Sequence, residues 1–167
     1  MRTATAKKMD RPSKADPGVS LRIVHEGYGP SAWHGANLKV AISDVTPTLA
    51  LWRPRPGRHN IAEVTLHHAW CVHSAIGQLT GNVVAPFGLT GENWFDVSDE
   101  STIGWSAITA LLETEQKEFA ETIAAIGAGR IKSPLADRER FDLALGITCH
   151  AVYHAGQIQL IKALSAE

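Results

Sequence analysis

The segment 141–164, "FDLALGITCHAVYHAGQIQLIKAL", constrains the fold more than any other part of the chain. Leu143, Ile147, Ile158 and Ile161 recur at helical spacing, and His150 and His154 come round to the same face about one turn apart. Imidazoles turned toward a core need a metal or hydrogen-bonding partners, because an unpaired buried polar ring is costly. This helix must therefore pack against a surface that offers polar groups among its apolar ones.

Three more helical stretches precede it. One covers about 19–44 and is broken near "GYGPSAWHG", where Gly27, Gly29 and Pro30 interrupt the pattern. A Pro-rich connector, "RPRPGRH", then holds the chain extended. The next helix is expected over 61–80, with Asn60 as N-cap, Glu63 as the reciprocal capping-box carboxylate and Gly81 as its end. The following helix spans about 100–126, with Trp105, Ile108, Leu112, Phe119, Ile123 and Ile126 in phase and Gly127 and Gly129 after it. The last runs from 138 to 165.

Between the middle two lies "NVVAPFGLTGENWFDVSDE", too long and too aromatic for a solvated linker, and so expected to lie over the helices as a flap. No strand pairing or internal repeat is evident. The pattern predicts an all-α protein, a four-helix bundle, and such cores commonly hold metal sites.

With 167 residues the chain suits one domain, here 18–167, preceded by a polar, basic tail over 1–17 that is expected to be mobile. The formal charge of −1 gives no electrostatic reason to expect nucleic acid as a partner. No run approaches the roughly 18 apolar residues of a membrane span. The basic start is followed by no apolar stretch, so a secretory signal is not expected. Two cysteines, Cys71 and Cys149, make no disulfide framework and suit a reducing cytoplasm.

A catalytic zinc ion usually takes three protein ligands and keeps one open position. The second long helix supplies candidates in "LHHAWCVH": His67, His68, Cys71 and His73. Helical phase, centred on Ile61, Val64, Cys71 and Ala75, favours His68 and leaves His67 at the flank, so phase alone does not choose between them. Cys71, one turn beyond His67, is an alternative thiolate ligand or a small packing residue. Cys149 is expected to pack. The metalloprotease motif HExxH is excluded by Ala151, and the Glu-x-x-His pairs of di-iron bundles are missing.

"RPGRHNIAEVTLHHAW" followed far downstream by "HAVYHAGQIQLIKAL", with "GENWF" and "SAWHGANL" as weaker matches, resembles the DinB-like (DinB/YfiT-like) metal-binding proteins over about 19–165. The resemblance implies a four-helix bundle in up-down-down-up order, a divalent metal and a homodimer. Carried over by motif, the ligands fall on His67, His150 and His154, with His68 and Cys71 as alternatives. Two positions depart from the family pattern: His68 stands where an apolar residue is usual, and Ala151 where an acid is common.

The implied activity is metal-dependent activation of a low-molecular-weight thiol or water, as in thiol S-transferases. A metal-dependent hydrolase or a non-catalytic, stress-related metal-binding dimer is the alternative. Zinc or nickel, or else iron, would suit three imidazoles. Gln157 and Tyr153 are the candidate catalytic side chains, one to hydrogen-bond a ligand or bound water, the other to supply a proton. Arg58 and His59, on the loop entering the second long helix, are expected to be solvated, with an anionic substrate as the alternative partner. Trp94 and Phe95 either wall a pocket or, the commoner case for aromatics, anchor the flap by burial, and Trp33 and His34 either face the site from the first helix or, as expected first, pack at the helix break. A small-molecule substrate is the expected partner.

Overall fold

The computed structural model describes residues 17–29, 32–81, 84–101 and 103–166. Within them the chain forms six helices and no strand. They are α1 (Pro17–Tyr28), α2 (Leu38–Ile42), α3 (Pro47–Leu51), α4 (Ile61–Thr80), α5 (Trp105–Gly127) and α6 (Asp137–Ser165). The tail expected over 1–17 lies outside the described residues except for Pro17, which opens α1.

The helical stretch expected over 19–44, with its break near Gly27, Gly29 and Pro30, is two helices, α1 and α2. Asn37 explains the second start: its Oδ1 accepts the Val40 N–H at 3.1 Å, an N-cap that begins a new helix. The sequence pattern gave no sign of α3. Thr46 caps it through Leu49 N–H, and Pro47 sits in the first turn, where its missing N–H costs nothing. The helix expected from 100 begins at Trp105, with Gly104 as its N-cap.

α4 starts and stops where its end residues dictate. Asn60 Oδ1 accepts the Glu63 N–H at 2.8 Å, and Gly81 closes the helix in the left-handed region at φ 80°. The Glu63 carboxylate does not complete a capping box. It receives Arg53 Nη1 at 2.8 Å, His59 Nδ1 at 2.8 Å and the Val97 N–H at 3.1 Å. One buried carboxylate thus ties the Pro-rich connector and the 84–101 segment onto the start of α4. Burial pushes this carboxyl up, but Arg53, His59 and the Val97 amide outweigh it and bring it down to about 2.

α4 packs against α5 and α6, and α1 packs against the same two helices. The α1–α6 approach depends on small residues. A Cβ placed on Gly27 would stand 3.1 Å from Ala151 Cβ and 3.3 Å from the Thr148 backbone. The apolar interior falls into two clusters. One joins Leu38, Ile61, Leu66, Ile108, Leu112 and Ile158; the other joins Val24, Val72, Ile76, Leu79, Phe119 and Ala144. Each fully buried Leu, Ile or Phe contributes about 1.5–3 kcal/mol relative to exposure. His67 and His68 sit between Leu66 and Ala69 of the first cluster, His154 sits between its Ala151 and Ala155, and His150 stands where the two clusters meet along α6. Among the described residues, no helix is long and apolar enough to cross a membrane.

Candidate metal centre

Residues 61–69 of α4 are all buried, since α3, α5, α6 and the 84–101 segment surround this part of the helix. Hydrophobic phase therefore cannot separate His67 from His68. Their hydrogen-bond partners do. His67 Nε2 lies 3.1 Å from His150 Nε2, and His154 Nε2 lies 2.9 Å from the same atom. The ligand atoms of these three side chains all fall within 4.8 Å of one another, a group that could hold a metal ion.

His68 meets the opposite edge of the His150 ring, Nδ1 to Nδ1 at 2.8 Å. Its own Nε2 lies 2.8 Å from Gln116 Nε2 on α5, and a half-turn of that amide offers the oxygen instead. His68, the alternative third ligand, is fully buried behind His150, with both nitrogens engaged.

The other two Nδ1 atoms are also engaged. His67 Nδ1–H donates to the Asn93 carbonyl at 2.9 Å, and His154 Nδ1–H donates to Gln157 Oε1 at 2.6 Å. All three rings therefore have a protein partner at Nδ1, which leaves Nε2 as the free lone pair. Tetrahedral zinc with bonds of roughly 2.05 Å needs ligand nitrogens about 3.3 Å apart, so the His67–His150 and His150–His154 separations of 3.1 and 2.9 Å need to open by only a few tenths of an ångström. The donor set fits such an ion.

Electrostatics agree with the geometry. Burial, and then the neighbouring imidazoles, bring His150 and His154 down to about 4. Burial lowers His67 as well, and holds His68 well below the ordinary histidine range. Neutral imidazoles are the form that binds metals.

The segment over the site is held by stacking. Trp94 lies parallel to His67 on one side and His59 on the other, each with ring centroids 3.9 Å away. Asn93, whose carbonyl caps His67, has φ 65°, the left-handed region that Asn tolerates better than most residues. Phe95 packs against the apolar cluster near Phe87.

Several other sequence candidates end elsewhere. Cys71 Sγ is 3.8 Å from His67 Nε2, and burial pushes its thiol up to about 11, so it stays protonated. Cys149, expected to pack, is exposed, because α6 turns that face to solvent. Trp33 is 93% exposed and His34 Nε2 sits on the Glu26 carbonyl, so neither faces the site. His73 is paired with Glu115. Tyr153 is exposed at the rim, where its oxygen accepts Gln157 Nε2–H at 3.0 Å.

Asn93 and Gln116 were not singled out in the sequence as site residues. Gln116 left a trace there: it occupies a core position between Leu112 and Phe119, where a polar side chain needs a buried partner. The Asn93 carbonyl leaves none, since a backbone oxygen carries no residue signature.

The sequence model of the DinB superfamily matches residues 32–158. No curated protein and no solved structure gives a significant match.

Proposed function

This chain belongs to the DinB superfamily, and we propose that it is a metal-dependent enzyme that activates a low-molecular-weight thiol for S-transfer at a divalent ion held by His67, His150 and His154. The convergence of three Nε2 atoms whose Nδ1 partners are already supplied by the protein carries the proposal. A bound ion, zinc or nickel or else iron, would supply Lewis acidity and lower the proton affinity of a thiol or water at its open position.

The protein's residues supply the rest. Asn93, His68 and Gln157 orient the three rings, and Trp94 shields one face of His67 from water. Gln157 donates to the Tyr153 oxygen, which leaves the Tyr153 hydroxyl proton free to point into the cavity and meet a leaving group. No Asp or Glu lines that cavity among the described residues. A thiol, with an ordinary pKa of about 8.5, needs less help to ionise than water at about 15.7, which favours thiol transfer over hydrolysis.

The contacts of α1 and α4 with both α5 and α6 support a four-helix bundle, for which the family implies up-down-down-up order. Asn93 and Trp94 over His67 support 82–100 as a flap. A cytoplasmic homodimer with a small-molecule substrate, and without nucleic-acid or membrane partners, completes the proposal.

Metal analysis of purified protein should find close to one ion per chain, lost in His150→Ala. A folded wild type that takes up no metal overturns the proposal. Metal-loaded protein should consume low-molecular-weight thiols with chlorodinitrobenzene; no consumption above the metal-free protein removes the transferase activity. A melting temperature that falls by tens of degrees on chelation, without thiol chemistry, would assign the ion a structural role.

A further inference from the structure

A cavity of about 710 Å3 opens beside the three imidazoles, within the range of small-molecule sites. Its charge is one-sided. Arg55 and Arg58 line it from the connector before α4, and neither is in an ion pair among the described residues. The nearby acids are engaged elsewhere: Glu63 by Arg53 and His59, and Asp96 by Arg53 at 3.7 Å. Among the described residues the lining holds two arginines and no carboxylate, so the charge the cavity wall itself presents is positive.

The other wall is apolar. Leu160, Ile161 and Leu164 come from the last turns of α6, and Val64 from α4. Leu160 is 60% exposed and Leu164, one turn on, 39% exposed, so two leucines of α6 present apolar surface side by side at the cavity. Arginine forks pair with planar anions, while an exposed leucine row gains by covering apolar surface.

We infer that the cavity takes a small amphipathic organic anion, with a carboxylate, sulfonate or phosphate on Arg55 and Arg58 and an apolar body along Leu160 and Leu164. The ligand's other end then lies toward His67, His150 and His154. The role of this ligand as substrate rests on the proposed metal enzyme; its binding does not require the ion.

Calorimetric titration of the full chain with octanoate, octanamide and acetate tests the assignment. Octanoate should bind at least about tenfold more tightly than neutral octanamide and than short acetate. Arg55→Gln with Arg58→Gln should erase the preference for the anion, and Leu160→Gln should weaken octanoate several-fold. All three positions are at the surface or rim, and circular dichroism melts confirm that the variants fold. Equal binding of octanoate and octanamide overturns the inference, as does octanoate binding unchanged in the double arginine variant, which would put the carboxylate on the ion.

A second copy of the chain seated on Leu160 would also overturn it; sedimentation would show a dimer that Leu160→Gln dissociates. Metal analysis of the same samples separates the two proposals. Metal-free protein that still prefers the anion keeps the ligand class and loses the metal enzyme, and metal-loaded protein without the preference does the reverse.

Discussion

Replacing His68 by Leu isolates a ring that backs His150 without facing the proposed metal site itself. His68 is fully buried, 2.8 Å from His150 Nδ1 on one side and 2.8 Å from Gln116 on the other. Leucine fills a similar volume, so no large cavity results. Two polar groups, His150 Nδ1 and the Gln116 amide, lose a buried partner, at about 1–3 kcal/mol each. Removing a buried ring that is itself costly to desolvate, and adding roughly 1.5–3 kcal/mol of apolar burial, offsets much of this. The metal-free variant should therefore lose no more than about 2 kcal/mol of stability.

Metal affinity should respond differently. Partners of ligating histidines typically contribute 10–100-fold, or about 1.4–2.8 kcal/mol at 1.4 kcal/mol per decade. Competition with a chromophoric chelator should show zinc bound at unchanged stoichiometry and 10–100-fold more weakly in His68→Leu, whereas His67→Leu loses a ligand outright and much more affinity. Zinc affinity within twofold of wild type in His68→Leu would refute the orienting role. Loss of the ion in His68→Leu with retention in His67→Leu would exchange the two assignments.

The other predictions concern the scaffold and its pH response. Glu63→Ala should destabilise by about 2–3 kcal/mol in urea unfolding, because it strands the Val97 amide and frees Arg53; Arg53 is partly exposed, which keeps the loss below that of a fully buried pair. An unchanged midpoint would remove the clamp. Asn93→Val should cost about 1–2 kcal/mol in the left-handed region and loosen His67, while Asn93→Gly should be tolerated; equal melting temperatures for the two would contradict the φ argument.

In metal-stripped protein, His150 and His154 sit near 4 against 6.5 in the unfolded chain, so the unfolded state binds more protons in acid. Their stability contribution is complete above 6.5 and is lost as pH falls toward 4. Urea midpoints should decline already between pH 6.5 and 4.5, before Glu63 takes up a proton, and a flat profile there would show that these rings are not held neutral.

The sequence alone determined the helical class, the extents of α4 and α6 to within a residue, and the presence of a histidine pair on one face of the last helix. Those properties are local: a 3.6-residue period, Asn60 and Gly81 at the ends of α4, and i, i+4 spacing of His150 and His154. It could not determine that Glu63 reaches out to the connector and Val97 in place of closing a capping box. It also missed α3, whose five residues are too few to show a period.

The different surroundings of His67 and His68 were decided only by tertiary structure. On a helix buried all round at residues 61–69, apolar phase carries no directional information. What separates the two rings is which edge of His150 each one meets, a relation set by the packing of α4 against α6. The same packing brings Gln116 behind His68, and the 84–101 segment brings the Asn93 carbonyl over His67. Those contacts join groups 26 to 83 residues apart in the chain, and no local pattern encodes them.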